Sequence, residues 1–250
     1  MNRRIPNLSR VFQSGAYGRP NGGPWTPLSL GSLLVSWWSA GGQLYSDAGT
    51  TPVVDTDPIY RAKAVNTASF PADQATPGNR PIYTANSGNP YMAFTGASSH
   101  YLNCGNSATL NPTSGMSLFV RFRPDGANSF VVARDDNAAG RSYSFGQISS
   151  KLYFEVNGTA VLNTGAVTSG NTYTMAVTGN AGDGWKSYIN NVNQASAAWV
   201  APASSTANVN IGRRSYSGAE NYLTGRIEEV VLCNDALSTG QLTLLETYFA

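Results

Sequence analysis

Short runs of alternating apolar and polar residues dominate the chain from Gly115 onward. In the run 117–122, Leu118, Val120 and Phe122 share one face and Phe119 lies on the other, as in a β-strand, whose successive side chains point to opposite faces. Comparable runs follow at 130–133, 142–146, 151–156, 159–162, 172–177 and 185–189. Short strands at regular intervals with turn residues between them predict an antiparallel sandwich or barrel.

Two hairpins can be predicted from their turn residues. Asn157 and Gly158 separate the runs 151–156 and 159–162, and Asn-Gly adopts the positive φ angles of a type I′ turn at little cost. Asn190 and Asn191 follow the run 185–189 in the same way. We therefore predict a hairpin tip at each pair.

The C-terminal part of the chain predicts one strand and then one helix. The run 225–232 has a strand pattern, and Ser238 is followed three residues later by Gln241, which is the spacing of a helix capping box. The apolar residues on one side of this helix are Leu242, Leu245 and Phe249. We expect the helix to end near Phe249.

The first 32 residues differ from the rest because they combine arginines and prolines with no acidic residue. The prolines and the pair Gly22 and Gly23 exclude a long helix or a central strand. We therefore predict an extended basic arm at 1–32, followed by one sandwich domain at 33–250. The residues expected to dock the arm on a partner are Arg3, Arg4, Arg10, Arg19 and Trp25, with Leu28 and Leu30 as further apolar anchors.

Charged residues make up 12% of the chain, about half the usual share for a soluble domain. The net charge of +2 is too small to favour nucleic-acid binding by the whole chain. A composition rich in glycine, uncharged polar residues and aromatic residues is typical of extracellular and virion-surface β proteins. It excludes no single function, but it favours surface display over cytosolic catalysis.

Targeting signals and cysteines add little. The N-terminal residues contain no apolar run of signal-peptide length, and the run 28–38 is too short to span a membrane. We expect a protein made in the host cytoplasm without an export signal, as a virion component would be. Cys104 and Cys233 form no disulfide framework; Cys233 is expected to be a small buried residue, and a bridge between the two stays open.

Taken together, these runs resemble the concanavalin A-like lectin/glucanase superfamily, in its laminin-G-like jelly-roll branch. The similar segments are the opening strand 115–120, the hairpin 185–191, the strand ending at Ile211 and Gly212, and the closing block 225–246. Residues 33–104 resemble a preface that often precedes this jelly roll in phage tail, fibre and other virion proteins and in bacterial surface proteins. The resemblance implies an all-β, antiparallel jelly-roll sandwich with a short C-terminal helix.

The resemblance does not carry a calcium site. Family members often have Asp after the Phe of a Phe-x-Gly element and again two or three residues later. This chain has Thr95, Ser98, Ser99 and His100 at those places. Asp135, Asp136 and Asn137 have the oxygen atoms that calcium prefers, but such residues are also ordinary turn formers. We expect no cofactor.

Glucanases of the superfamily place two catalytic Glu residues at alternate positions of one strand, on one face. The Glu residues of this chain are Glu155, Glu220, Glu228, Glu229 and Glu246. Adjacent Glu228 and Glu229 are expected to leave opposite faces of their strand, and the lone His100 has no nucleophile at a recognisable spacing. The sequence therefore predicts that the protein is not an enzyme.

A ligand site is predicted where the loops 179–185 and 213–221 flank neighbouring strands of the family fold and are expected to converge at one end. The candidate ligand-binding residues are Asp183, Trp185, Arg213, Arg214, Tyr216 and Asn221. They combine aromatic surface with hydrogen-bonding groups, as sugar sites do. For Trp185, a place in the core is the alternative, because aromatic residues of a sandwich are commonly buried.

The predicted function is that of a structural and adhesive phage virion protein: a capsid decoration, head-fibre or tail-associated component. The arm would contact other virion proteins, and the sandwich, present in many copies, would contact a host surface glycan. Neither nucleic-acid binding nor membrane insertion is expected. A free-standing or cell-surface carbohydrate-binding lectin is the main alternative, and a degenerate glycosidase is a third.

Overall fold

The computed structural model describes residues 25–67, 69–136, 139–216 and 219–250. Arg3, Arg4, Arg10 and Arg19 lie outside the described residues. The strands and the helix, in chain order, are β1 (Leu34–Ser39), β2 (Leu44–Tyr45), β3 (Arg61–Ala62), β4 (Ala72–Asp73), β5 (Ile82–Thr84), β6 (Tyr91–Phe94), β7 (Leu102–Asn103), β8 (Gly115–Pro124), β9 (Ser129–Asp136), β10 (Gly140–Ile148), β11 (Lys151–Val156), β12 (Thr159–Thr164), β13 (Tyr173–Asn180), β14 (Gly184–Ile189), β15 (Val192–Ala197), β16 (Asn210–Ile211), β17 (Arg213–Tyr216), β18 (Ala219–Tyr222), β19 (Gly225–Cys233) and α1 (Thr239–Phe249). Short 3-10 helices span Pro27–Leu33, Pro77–Asn79, Asn86–Gly88, Gly96–Ser98 and Ala108–Leu110.

Two antiparallel sheets form a sandwich. The first sheet has the order β15-β14-β13-β8-β19-β6-β5, with β1 also paired to β19, and the second has the order β12-β11-β10-β9-β16-β7-β4-β3-β2. The alternation in β8 decides its two faces: Leu118, Val120 and Phe122 are in the core between the sheets, and Phe119 is in a separate cluster on the outer side. The prediction of an antiparallel jelly-roll sandwich with one short C-terminal helix is confirmed.

The predicted hairpin tips are also confirmed. Asn157 and Gly158 connect β11 to β12 with φ angles of 54° and 83°. Asn190 and Asn191 connect β14 to β15 with φ angles of 48° and 61°. The positive φ angles explain why asparagine and glycine occupy these positions.

Helix α1 covers the outer face of the first sheet. The Ser238 side chain accepts a hydrogen bond from the Gln241 backbone N–H at 3.3 Å, and the Ser238 backbone N–H donates to Gln241 Oε1 at 2.9 Å, so the predicted capping box is present. Leu242 and Leu245 of the helix are buried in the same cluster as Phe119. The helix thus hides apolar surface that the first sheet would otherwise expose.

The packed part of the domain begins before residue 33, and this corrects part of the arm prediction. Leu30, in the 3-10 helix Pro27–Leu33, is only 6% exposed and lies in the cluster under α1. The ring of Trp25 meets the Tyr248 ring of α1 edge to face, with 6.2 Å between centroids. Trp25 and Leu30 therefore contact their own chain, because the outer face of the first sheet offers them an apolar surface; Leu28 is exposed.

Cys104 and Cys233 do not pair. Both are free and buried, Cys104 between the sheets and Cys233 in the outer cluster. Burial raises the pKa of Cys104 far above its usual range and that of Cys233 to about 12. Both side chains act as small apolar residues of the interior.

Candidate functional site

The β17–β18 hairpin lies on the outer face of the second sheet, against β9. Val131, Val132 and Phe154 on the other face of this sheet belong to the core. On the outer face, the guanidinium of Arg214 lies 4.9 Å from the centroid of the Phe130 ring. The hairpin therefore covers a face that would be open in a bare sandwich.

Four charged side chains meet where this hairpin packs on the second sheet; three are buried, and the Arg141 side chain is 22% exposed. Arg214 Nε is 2.7 Å from Asp135 Oδ2, and its terminal nitrogen is 2.8 Å from both oxygens of Glu155. Arg141 Nε is 2.9 Å from Asp135 Oδ1, and Arg141 also bonds Glu155. Two guanidinium groups thus neutralise two carboxylates, and we call these four residues the charge cluster.

Hydroxyl groups complete the charge cluster. Tyr153 donates its O–H to Glu155 Oε2 at 2.6 Å, and Ser144 Oγ donates to Asp135 Oδ2 at 3.1 Å. Burial, and next the carboxylate of Glu155, raise the pKa of Tyr153 to about 12, so this phenol stays a donor. Each oxygen of the two carboxylates accepts at least one hydrogen bond.

Two residues of the predicted ligand site are placed elsewhere. Arg214 is buried in the charge cluster, because two carboxylates on the sheet below it bind its guanidinium. Trp185 is fully buried between the sheets; its indole N–H donates to the Val200 carbonyl at 3.1 Å, and its ring stacks on Trp199 with 4.5 Å between centroids. The prediction that these two side chains contact a ligand is wrong.

The remaining predicted residues do not form one site. Arg213 lies over the Tyr101 ring, 4.6 Å from its centroid. Asn221 pairs with Arg214 across the hairpin, and only the backbone of Tyr216 is described, paired with Ala219.

Asp183 lies in the turn between β13 and β14, and its carboxylate is 3.5 Å from the Lys186 ammonium. In that turn, Asn180 bonds Asp235, just before α1 on the outer side of the first sheet. The hairpin 213–221 lies on the second sheet instead, so the expected convergence of the two loops does not occur.

A β-bulge in β19 places Glu228 and Glu229 on the same outer face. The pairing with β8 shifts between Ile227 and Glu229, opposite Arg121. Glu228 Oε2 is 2.7 Å from Arg121 Nε. The expectation of opposite faces is therefore wrong, because the bulge adds a residue that interrupts the alternation.

Glu229 is held by two donors from β1. Its oxygens accept hydrogen bonds from the Trp37 indole N–H at 2.7 Å and from Ser39 Oγ at 2.8 Å. Burial raises the pKa of Glu229 to about 8, although both donors lower it. Two adjacent carboxyl groups, one of them with a raised pKa, also occur in sites of acid–base chemistry. Trp37, however, packs against Tyr248 and Phe249 of α1, which cover this face.

The His100 side chain has a structural role, because it binds a backbone group of its own chain. Its Nδ1 accepts a hydrogen bond from the Thr95 backbone N–H at 3.2 Å, and burial lowers its pKa.

Within the described residues, no group of three or more His, Cys, Asp or Glu side chains lies close enough to hold a metal ion. No helix in the described part of the chain is long and apolar enough to cross a membrane.

An open cleft that the sequence did not indicate lies between the edge strands β2 and β5. Its volume is about 210 Å³, and its lining includes Gly41, Gly42, Gln43, Tyr45, Val53 and Tyr83. Strands β2 and β5 end the second and first sheets respectively. Strands as short as these have little periodicity, so a sequence pattern gives no reason to bring them together.

The model of the concanavalin A-like lectin/glucanases superfamily matches residues 65–243. Among curated proteins, no sequence matches this chain.

Similar solved structures share the fold at low sequence identity. Domain 4 of AbnA, a GH43 extracellular arabinanase from Geobacillus stearothermophilus solved with arabinotriose, is 13% identical over 86% of this chain and 98% of that one, with a TM-score of 0.55. Trypanosoma rangeli sialidase with sialic acid is 12% identical over 96% of this chain and 36% of that one, with a TM-score of 0.57. The botulinum neurotoxin type G receptor-binding domain is 10% identical over 87% of this chain and 51% of that one, with a TM-score of 0.57.

The chain spans only about a third of the sialidase and half of the toxin domain. At these identities the similarity shows the sandwich fold alone. The activities of those proteins are not assigned to this chain. The family match covers most of the chain, and the antiparallel sandwich agrees with it. This chain belongs to the concanavalin A-like lectin/glucanases superfamily.

Proposed function

We propose that this chain is a non-enzymatic adhesion module that binds carbohydrate and is displayed on a phage virion. The observation that carries the non-enzymatic part is the placement of the carboxylates. In the charge cluster, Asp135 and Glu155 are saturated by guanidinium and hydroxyl donors beneath the β17–β18 hairpin. A retaining or inverting glycosidase needs two carboxyl groups that reach the sugar from opposite sides of the bond.

The second pair of carboxyl groups is also bound by neighbouring side chains. Glu228 is bound by Arg121, and Glu229 by Trp37 and Ser39. Both lie on the face that α1 covers, where the Glu228 side chain is 12% exposed and Glu229 is half-buried. The engagement of both groups by these partners favours binding over hydrolysis.

The carbohydrate part is supported by the family and by the open cleft. The superfamily includes both lectins and glucanases, and domain 4 of the arabinanase, with which this chain shares its fold, was solved with arabinotriose bound. The cleft has the concave, mostly apolar and partly aromatic lining that small-ligand sites have.

The virion part is supported by composition and by the preface at 33–104. A surface with few charges and many uncharged polar residues suits a repeated exterior protein. The preface resembles segments found in phage tail and fibre proteins. In this proposal, Arg3, Arg4, Arg10 and Arg19 would supply positive charge to contacts with an acidic shell protein.

In affinity gel electrophoresis, we expect at least one bacterial or plant polysaccharide in the gel to slow the migration of the purified protein. We expect the protein to release no reducing ends from that polysaccharide. The panel should include arabinans, galactans, β-glucans and bacterial capsular polysaccharides. Release of reducing ends that Glu155→Gln or Glu228→Gln abolishes would contradict the non-enzymatic proposal. The absence of any retardation would contradict the carbohydrate-binding proposal.

A further inference from the structure

The cleft between β2 and β5 has walls that are fixed before any ligand arrives. The Val53 backbone N–H donates to the Leu44 carbonyl at 3.1 Å, which ties the wall that contains Val53 to β2. On the other side, the Tyr83 backbone N–H donates to the Asp57 carbonyl at 2.9 Å, and the Tyr83 carbonyl accepts from Thr56 at 2.9 Å. A preformed cavity loses little conformational entropy when it binds a ligand.

The lining selects a neutral ligand with an apolar face. The cleft is lined by glycine, alanine, glutamine, leucine, tyrosine, proline and valine residues, and none of these side chains carries a charge. Two of the lining residues, Tyr45 and Tyr83, carry aromatic rings, and the C–H face of a sugar ring packs on such surfaces. The lining gives an anionic ligand no cation, and the Lys63 ammonium beside the cleft is already engaged with the ring and hydroxyl of Tyr45.

The volume of about 210 Å³ limits the size of the ligand. Pockets that enclose drug-sized molecules have volumes of roughly 300–1,000 Å³. This cleft is smaller and open on one side, so it suits one ring of a longer glycan, with the neighbouring units in solvent.

Gln43 supplies directional hydrogen bonds. Its Oε1 accepts from the Tyr45 hydroxyl at 3.2 Å; this bond uses only the amide oxygen, so the two N–H donors of the side chain remain for a ligand. The ammonium of Lys63 lies 4.4 Å from the centroid of the Tyr45 ring, and this cation–π contact helps to hold the ring in place. The Tyr45 ring and the Gln43 amide thus lie side by side in the lining of the cleft.

We propose that the cleft between β2 and β5 binds one neutral monosaccharide unit of a glycan, and this assignment rests on the proposed function. Tyr45 and Tyr83 provide the packing surface, and the Gln43 amide donates to a sugar hydroxyl. A single ring held in this way has millimolar affinity, so adhesion depends on many copies that act together.

The test is an NMR titration of ¹⁵N-labelled protein with methyl glycosides of glucose, galactose, mannose, N-acetylglucosamine and arabinose, with glucuronic acid as the charged comparison. We expect at least one neutral sugar to shift the amide signals of 41–45 and 83 with a Kd on the order of millimolar. Glucuronic acid is expected to bind more weakly. Shifts located elsewhere, or equal binding of the charged sugar, would overturn the assignment.

Variants separate ring packing from folding. Tyr45→Ala is expected to weaken binding about tenfold or more, because it removes the packing surface, and Tyr45→Phe is expected to stay within about threefold of the parent. Tyr173→Ala, on β13 and far from β5 in the same sheet, is the matched control and should bind as the parent does. Thermal unfolding of each variant verifies that it is folded.

The outcomes distinguish the two proposals. If polysaccharides retard the parent and Tyr45→Ala equally while Tyr45→Ala remains folded, the cleft assignment is wrong and carbohydrate binding stands. If no polysaccharide retards the parent and no monosaccharide shifts its signals, both proposals are wrong.

Discussion

Replacing Arg214 with methionine is expected to lower the free energy of unfolding by about 3–5 kcal/mol, because it leaves two buried carboxylates with only one cation between them. Arg214 binds both Asp135 and Glu155, whose side chains are 1% and 5% exposed. Arg141 remains as their second cation, so the lower part of that range is expected. Urea denaturation at neutral pH measures the effect.

Arg123→Met is the matched control. Arg123 pairs with Asp125 at 2.9 Å, and both side chains are about one-third exposed, so the loss should be about 0–1 kcal/mol. Adding Glu155→Gln to Arg214→Met should recover part of the loss, because Arg141 and Asp135 then remain as one balanced pair. An Arg214→Met effect no larger than that of Arg123→Met would contradict the account of the charge cluster.

The parent protein is expected to lose about 2 kcal/mol of unfolding free energy between pH 6.5 and pH 8, because a pKa shift of one unit corresponds to about 1.4 kcal/mol. The folded state holds the Glu229 proton up to a pKa of about 8, whereas an unfolded glutamic acid releases it near pH 4.5. The folded state thus binds more protons in this window, and its stability falls as the pH rises.

The window avoids an opposing effect of His100. Burial lowers the pKa of His100 in the folded state, so this residue makes stability rise with pH, but only below about pH 6.5. Among the charged and titratable neighbours of Glu229, Glu228 raises its pKa, Arg121 lowers it, and Tyr248 lies close enough to respond to its charge.

Glu229→Gln should remove most of the pH dependence between pH 6.5 and pH 8. The amide oxygen can still accept the Trp37 N–H, and Ser39 can turn its hydroxyl to accept from the new NH₂ group. Chemical denaturation at several pH values compares the two proteins. Parallel curves for the parent and Glu229→Gln would show that Glu229 is not the group that titrates.

Local patterns in the sequence were sufficient for much of the fold. The alternation in 117–122 sets both faces of β8, and the residues at the two hairpin tips have the positive φ angles that Asn and Gly tolerate. The spacing of Ser238 and Gln241 locates the start of α1. Each of these features depends on residues within a few positions of one another.

The candidate sites could not be predicted in this way, because they depend on contacts between distant segments. Arg214 and Asp135 are 79 residues apart in the chain. No pattern in the sequence of the β17–β18 hairpin, which carries Arg214, indicates that it packs on the outer face of the second sheet. The bulge at Glu228 breaks the alternation without a glycine to mark it. For Trp185 a signal was present: its neighbour Lys186 needs solvent, so alternation directs Trp185 inward.

The most direct test of the central claim is glycan-array binding by intact particles purified from the host whose genome encodes this chain, alongside particles that lack the protein. We predict that the protein is a component of the particles, that complete particles bind at least one glycan with a neutral terminal sugar, and that particles without it lose this binding. Absence of the protein from purified particles, or equal glycan binding with and without it, would contradict the account.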